Sequence, residues 1–285
     1  MSNAVLVPGL YIVSTPIGNL GDITLRALDT LRHADLIACE DTRVTATLAR
    51  RFSLTAERVP YHDHNAEIMR PRLLKRLAEG ARVALVSDAG TPLVSDPGLK
   101  LVRAAIEAGL PVMAIPGASA ALAALVVAGL PTDRFLFAGF LPAKQGQRRQ
   151  ALGELARIPA TLVFFETAPR LADALADMTS VLGDRPAAVA RELTKLHEEV
   201  RRGTLGELAT HYAVAEPPRG EIVLVVGPAA ADAAEISPEM LDQRLGEALQ
   251  TQSVREASAA IAAETGLPRR QVYARALALA GKRTP

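Results

Sequence analysis

The sequence predicts an α/β protein with two α/β domains and a small helical domain after them. Up to residue 119, short apolar runs alternate with patterns of helical period, which is typical of right-handed βαβ units and a mainly parallel sheet. The texture changes between residues 117 and 131, where an alanine-rich helical pattern precedes an aromatic strand. We therefore predict domains at 1–117, 118–227 and 238–285.

The composition is that of a soluble globular protein. The 285 residues are 49% hydrophobic and 22% charged, and the net charge of +1 gives no overall attraction to nucleic acid or membranes. A polyanion would have to be bound by a local basic patch. The single cysteine, Cys39, excludes an internal disulfide and fits a reducing compartment. We see no signal peptide, and the longest apolar run, 118–130, is too short to span a bilayer, so we expect a cytoplasmic protein without membrane contact.

The first domain contains apolar runs that predict short strands. They lie at 10–13, 36–39, 59–62, 83–86 and 111–115. A helical segment at 65–79 contains Pro71, which either kinks the helix or begins a second one. After the fourth strand, Asp96 is a good N-cap, Pro97 suits the first helical position and Gly109 is a good stop.

Loops of small residues follow three of these strands. The 87–98 loop consists largely of Gly, Ala, Thr, Ser and Pro, so its backbone can lie close to a ligand. The loops at 16–22 and 115–119 also combine Gly and Pro, and in an open α/β sheet ligands bind where such loops meet. The 16–22 loop matches neither a dinucleotide fingerprint nor a P-loop. A tight structural turn is the alternative interpretation of each loop.

No metal site is expected from the sequence. His62 and His64 flank Asp63 at a spacing that could hold a metal, but no cysteine or second cluster joins them, which favours a solvated loop. The three small-residue loops contain no pairing of a nucleophile with a base, so hydrolase chemistry has little support.

Charged residues follow the strands of the second domain, which we predict at 135–140, 161–165, 187–190 and 222–226. Glu166 ends one of these strands, and Glu192 and Lys195 follow another. Solvated surface charge is one interpretation, and the other is a surface that faces a polyanion and carries a built-in acid or base. The cations of this surface are Lys144, Arg148, Arg149, Arg170 and Arg191.

The chain after residue 227 predicts a linker and a compact helical domain. Residues 227–237 lack an apolar period, and helical patterns follow at 238–249, 253–264 and 268–280. The glycine turn between the last two patterns is typical of a helix-turn-helix. Arg269, Arg270 and Arg275 do not form one stripe, so some of them are expected to cap or pair.

Seven motifs, in order along the chain, resemble those of the ribosomal RNA branch of the tetrapyrrole methylase superfamily. The resemblance extends from about residue 10 to 227, and the last helices resemble the helix-turn-helix domain appended to that branch. Pro16 stands where tetrapyrrole-acting members usually have the first glycine of a Gly-x-Gly-x-Gly-Asp loop, which argues against a porphyrinoid substrate. The motifs lie at 16–22, 40–43, 87–98, 115–119, 139–142, 166–170 and 191–195.

This resemblance implies S-adenosylmethionine in a cleft between two α/β domains, and a homodimer. It also implies 2′-O-methylation of a cytidine ribose in the decoding region of 16S rRNA, within the small ribosomal subunit, with the cations above contacting RNA. A ribose hydroxyl needs a base to take its proton, and Glu166, Glu192 and Lys195 are the undistinguished candidates. By position in the motifs, the cofactor would be lined by Pro16, Asp88, Gly90, Thr91, Pro92, Ile115, Ala118 and Ser119.

Two other functions stay open at this point. One is a small-molecule methyltransferase acting on a tetrapyrrole or another acidic metabolite, which the helical tail and the basic loops disfavour. The other is a nucleic-acid-binding regulator that senses a nucleotide through residues 1–227. From residue 238 onward, seven basic residues stand against five acidic ones, an excess of two that is weak for a primary DNA reader.

Overall fold

The computed structural model describes residues 6–229, 238–265 and 267–281. The described chain divides into two compact units. The first extends to Glu154 and resumes over Thr161–Gly227, and the second comprises Leu155–Ala160 and the described residues from Pro228 onward. Both β-sheets lie in the first unit, so the boundary at 117–118 stays a prediction.

The first sheet is parallel throughout, as the strand–helix alternation predicts. Its strand order is β3-β2-β4-β1-β5, and every neighbouring pair runs in the same direction. Its strands and helices are β1 Gly9–Val13, α1 Leu25–His33, β2 Leu36–Cys39, α2 Thr42–Phe52, β3 Glu57–Pro60, α3 Ala66–Ala78, β4 Arg82–Val86, α4 Leu99–Glu107 and β5 Val112–Ile115.

Alternating side chains of these strands build a core on each face of the first sheet. Tyr11, Val13 and Ile37 pack with buried residues of α1 and α2 on one face. Leu10 and Leu85 pack with residues of α3 and α4 on the other. Because both faces are covered, the strands are almost continuously apolar, which is typical of a parallel sheet.

Two details of the predicted helices differ from the structure. The helix after β4 begins at Leu99 with Gly98 as its N-cap, so Asp96 is not the cap and Pro97 lies outside the helix. Gly98 has φ +136°, and a Cβ there would meet Leu85 Cδ2 at 2.8 Å, so only glycine allows the chain to enter α4 here. Pro71 lies inside a continuous α3, so it begins no second helix. Gly109 follows the C-cap of α4 with φ +69°, as predicted.

The second sheet is mixed, unlike the parallel first sheet. Its order is β6-β7-β10-β8-β9, and only β6 and β7 run parallel. The elements of this half are α5 Ala120–Ala128, β6 Phe135–Phe140, α6 Gln145–Leu155, β7 Thr161–Thr167, α7 Leu171–Leu182, β8 Pro186–Arg191, β9 Glu199–Thr204, α8 Leu205–Val214 and β10 Glu221–Val226.

Strand β9 and helix α8 do not follow from the apolar period. The strand is half exposed and carries two arginines, Arg201 and Arg202, so no apolar run marks it. The helix does have a local signal, since Thr204 and Glu207 form a reciprocal capping box at its start. The hairpin of β8 and β9 adds a third antiparallel pair to those that β10 forms with β7 and β8.

The core of the second sheet forms around small and branched side chains. Ala124 and Leu125 of α5 pack against Val163, Ala188 and Val223 of the strands. Gly129, with φ +74°, is the C-cap that ends α5. Within the described parts of the chain, no helix has both the length and the apolar character needed to cross a membrane.

The second unit contains the three predicted C-terminal helices. They are α9 Pro238–Ala248, α10 Val254–Thr265 and α11 Arg269–Gly281, and Leu245 and Val272 are fully buried between them. Arg275 pairs with Asp242 at 2.6 Å, which confirms that part of the arginine set is paired. Residues 230–237 of the predicted linker and residues 282–285 lie outside the described residues.

Candidate active site

The loops after β1, β4 and β5 meet at one edge of the first sheet, as the sequence predicts. Thr15 and Gly90 exchange two backbone hydrogen bonds, with N–O distances of 2.8 and 3.1 Å. The Ser14 amide donates to the Ile115 carbonyl at 3.1 Å, and the Thr91 hydroxyl donates to the Ala118 carbonyl at 3.2 Å. These bonds fix the three loops to one another and give the crevice a defined backbone wall.

The 87–98 loop holds an unusual backbone. Besides Gly90 at φ +77°, the non-glycine residues Leu93 and Ser95 have φ of +74° and +62°. Left-handed conformations are uncommon for such residues, and they occur more often at functional sites than elsewhere. The strain therefore supports a ligand-binding role over that of an ordinary turn.

A cavity of about 420 Å³ lies between this loop and the second sheet. Its size falls within the range of ligand pockets, roughly 300–1,000 Å³. Its apolar lining includes Phe140 and Phe165, and its polar lining includes Asp88, Asp96 and Glu166. The second sheet thus closes the crevice that the first sheet opens.

A second cavity of about 350 Å³ adjoins the loop after β1. Pro16 and Gly18 line it from that loop, Lys195 lines it from the second sheet, and residues of α2 complete the wall. Asp88 lines both cavities and accepts a hydrogen bond from the Asp41 amide at 3.0 Å.

The cofactor residues implied by the resemblance fall into two groups. Asp88, Gly90, Thr91 and Ser119 line the larger cavity, and Pro16 and Asp88 line the smaller one. Three others line neither of these two cavities but support the loops. They are the buried Pro92 and Ile115, and Ala118, whose carbonyl accepts the Thr91 hydrogen bond.

Asp96 has an environment unlike that of a surface cap. Burial, followed by the neighbouring Glu40 and Asp88 carboxylates, raises its pKa from 3.8 to about 6. Burial, again followed by Asp88, also raises the pKa of Glu40. Asp96 is therefore a site residue that the capping interpretation missed, and the repeat of Ser-Asp within the 87–98 loop is the one sequence signal for it.

Glu166 is the candidate base whose side chain is completely buried. Its Oε1 accepts a hydrogen bond from the Thr167 amide at 2.8 Å and lies 3.3 Å from Arg170 Nε. Its Oε2 accepts no hydrogen bond from the described chain. A buried carboxylate oxygen without a partner is costly, and Glu166 is one of the residues that line the larger cavity, so this carboxylate is suited to a donor group of a ligand.

Lys195 and Glu192 form an ion pair rather than two independent candidates. Lys195 Nζ lies 2.7 Å from Glu192 Oε1 and 3.0 Å from Glu221 Oε2. Burial acts to lower the pKa of Lys195, but the hydrogen bonds from Glu192 and Glu221 outweigh it and raise that pKa. Lys195 thus stays protonated at neutral pH and cannot serve as a base. Glu192 is not among the described residues that line the two cavities, and it holds the ammonium group in place.

The predicted RNA-contacting cations differ widely in exposure. Arg148 is buried, with Nη2 2.6 Å from Asp177 and its Nη1 donating to the Ala143 carbonyl, so its guanidinium is engaged inside the fold and is not exposed to an external ligand. Arg149 shares Asp177 but is half exposed. Lys144 is exposed.

The other two cations of this set are largely engaged within the chain. Arg170 donates to the Leu141 and Pro142 carbonyls as well as approaching Glu166. Arg191 pairs with Glu199 at 3.1 Å. Lys144 and Arg149 are therefore the best exposed of the five.

His62 and His64 lie side by side, and across the described ranges no group of three or more His, Cys, Asp or Glu is arranged to hold a metal.

Comparison with known protein families identifies the class of protein to which this fold and its crevice belong. The family model described as Tetrapyrrole (Corrin/Porphyrin) Methylases matches residues 9–209. A second model, described as the RsmI C-terminal HTH domain, matches residues 234–280. The chain therefore belongs to the tetrapyrrole methylase family.

Similar proteins with assigned names indicate which branch of that family this chain resembles most strongly. A Mesorhizobium japonicum protein named Ribosomal RNA small subunit methyltransferase I is 53% identical over 275 residues, covering 96% of this chain and 93% of its own. An Erythrobacter litoralis protein of the same name is also 53% identical, covering 96% of both chains. A solved uroporphyrin-III C-methyl transferase from Thermus thermophilus, complexed with S-adenyl homocysteine, shares the fold, with a TM-score of 0.53 and 23% identity over 77% of this chain and 97% of that one.

Proposed function

We propose that this chain uses S-adenosylmethionine to methylate the ribose 2′-hydroxyl of a cytidine in the decoding region of 16S rRNA. The observation that carries the proposal is the 53% identity, over nearly the full length, to proteins named Ribosomal RNA small subunit methyltransferase I. A ligand-sized cavity at the predicted loops supports it. The substrate form is the small ribosomal subunit, which places the reaction in the cytoplasm. A homodimer remains part of the proposal, and sedimentation tests it.

The residues present fit the proposed cofactor. Its bound form supplies an electrophilic methyl group on a positively charged sulfur. Gly90 allows close backbone approach, and the Asp88 and Asp96 carboxylates give the cavity the negative charge that suits a cation. The Thr91 and Ser119 hydroxyls supply further polar groups on the same wall.

Glu166 is the best placed of the three candidates to accept the proton of a ribose hydroxyl. Glu166 lines the larger cavity, and its Oε2 has no hydrogen-bond partner in the described chain, while the pair with Arg170 and the bond from Thr167 fix the other oxygen. Lys195 contributes a fixed positive charge near the smaller cavity. In-line methyl transfer depends largely on positioning, which these fixed groups provide.

The tetrapyrrole-type alternative gains no such support. The solved enzyme named for uroporphyrin-III is under a quarter identical, and that likeness extends to the fold alone. Of the five cations predicted to contact RNA, the exposed Lys144 and Arg149 remain the main proposed contacts. Arg170 and Arg191 are weaker candidates, because carbonyl or carboxylate oxygens of the chain already engage them.

The test incubates the chain with small ribosomal subunits and methyl-labelled S-adenosylmethionine, and maps the label by nuclease digestion and mass spectrometry. Label on the 2′-oxygen of a cytidine is expected, whereas no label in RNA, or label on a base, contradicts the proposal. Glu166→Gln should slow transfer by roughly a hundred- to ten-thousand-fold while keeping cofactor affinity, since a general base contributes that much. Glu154→Gln, an exposed glutamate of α6, is the matched control.

A further inference from the structure

A third concavity, which the proposed reaction does not use, lies on α2 and the adjoining edge strand β3. It is a shallow groove of about 470 Å³ lined by Arg43, Arg50 and Arg58, with Ala46, Ala49 and Leu54 between them. Three arginines and three apolar residues thus line the same groove. We call this feature the α2 groove.

Among the residues that the structure describes, two of the three arginines in the α2 groove have no carboxylate partner. Arg50 donates to the Thr47 hydroxyl at 3.4 Å, and Arg58 donates to the Ala56 carbonyl at 3.3 Å. Within the described residues neither forms a salt bridge, whereas Arg43 is paired with Asp41 at 2.6 Å. Glu57 precedes Arg58 in β3 and faces the opposite side of the strand, because successive strand residues alternate. The α2 groove therefore keeps a net positive charge.

The α2 groove stands next to the site, on the other side of a single helix. Val44, Thr47 and Leu48 of α2 line the smaller cavity together with Lys195. Arg43 and Arg50 of the same helix line the groove. A helix with its side chains is about 10–12 Å across. At 3.4 Å per stacked nucleotide, a single strand crosses that distance in about three nucleotides.

We propose that the α2 groove binds the phosphate backbone of RNA nucleotides flanking the one that is methylated. The inference rests on the proposed RNA substrate and adds a binding surface to it. Arginine offers planar paired donors that match phosphate oxygens, and such contacts set register without reading sequence. Arg50 and Arg58 carry most of the binding, because Asp41 already takes Nε and Nη2 of Arg43.

The test compares two double variants that remove the same charge. Arg50→Gln/Arg58→Gln changes the groove, and Arg72→Gln/Arg103→Gln changes exposed arginines of α3 and α4, which pack on the opposite face of the sheet. Each is titrated with a short fluorescent single-stranded RNA over a salt series. The groove variant should bind roughly tenfold or more weakly at low salt, and its log–log salt slope should be smaller by about 1.4, or 0.7 per phosphate contact. The control variant should bind as the unaltered chain does.

Methylation of small subunits by the same proteins then separates the two proposals. The groove variant should show a raised KM with kcat and affinity for S-adenosylhomocysteine unchanged. Equal RNA affinity for the two double variants overturns the groove, as does a change of oligomeric state in the groove variant that accounts for weaker binding. If the unaltered chain binds RNA through the groove but transfers no methyl to subunits, the proposed function fails and the groove stands.

Discussion

The aliphatic stem of Lys195 lies against the Cα of Gly18, so closely that a Cβ at residue 18 would meet Lys195 Cγ at 2.5 Å. Gly18 belongs to the loop after β1 of the first sheet, and Lys195 belongs to the turn between β8 and β9 of the second. Their contact joins the two sheets at the wall of the smaller cavity. The same contact places the Lys195 ammonium between Glu192 and Glu221.

Lys195→Met separates the charge of this residue from its packing, because methionine keeps a stem against Gly18. If the ammonium stabilises charge in the reaction, Lys195→Met and Lys195→Ala should both slow single-turnover methyl transfer, on the order of a hundredfold. Affinity for S-adenosylhomocysteine, measured by calorimetry, should change little. A Lys195→Met variant of normal rate beside a slow Lys195→Ala would show that only the packing matters.

Gly90→Ala tests the close backbone approach, with Gly109→Ala as its control. Both glycines have positive φ, +77° and +69°, so alanine should cost each variant a similar amount, about 1 kcal/mol. A Cβ at residue 90 would stand 3.4 Å from Ile17 on the cavity wall, and one at residue 109 meets nothing within 4 Å. Only Gly90→Ala should therefore lose affinity for S-adenosylhomocysteine. Valine is less informative, since a β-branched residue is strained at this φ whatever the ligand.

Asp96→Asn should change how stability depends on pH. The folded pKa of about 6 lies above the ordinary 3.8, so the folded chain holds an extra proton between these values. The stability that the folded chain gains by holding this proton on Asp96 is complete below pH 3.8 and is lost as the pH rises through 6. The melting temperature of Asp96→Asn relative to the unaltered chain should thus be higher at pH 7.5 than at pH 4. Asp133→Asn, at an exposed loop position, should show no such trend, and a parallel trend in both variants would contradict the assignment.

Arg148→Ala should destabilise the fold rather than weaken RNA binding selectively. Removing Arg148 takes one partner from the buried Asp177, and breaking a buried ion pair typically costs about 3–5 kcal/mol. Arg149→Ala removes the half-exposed partner of the same carboxylate and should cost under about 1 kcal/mol. Urea denaturation of the two variants measures the difference. Equal losses would mean that Asp177 does not depend on the buried partner.

The parallel first sheet and the convergence of its loops could be predicted because both follow from local patterns. Apolar runs such as 36–39 and 83–86 become buried strands, and parallel strands bring the loops at their carboxyl ends to one edge. The C-terminal helices could be predicted equally well, since their helical period and the glycine turn in the sequence are both local signals. The family motifs added the class of ligand, which the bare residue types left open.

Only the tertiary structure decided what each charged side chain does. Arg148 and Arg149 are neighbours in sequence, and both pair with Asp177, which is 29 residues from Arg148. Folding nevertheless buries the first guanidinium and leaves the second half exposed. The local sequence favours Asp96 as a helix cap, but in the structure Gly98 is the N-cap of α4 and Glu40 lies beside Asp96. Local periodicity determines most of the segments that become helices and strands, with β9 and α8 as exceptions. The burial and pKa of a side chain depend on groups brought near by folding, so the sequence determined the frame of this site and the packing determined its chemistry.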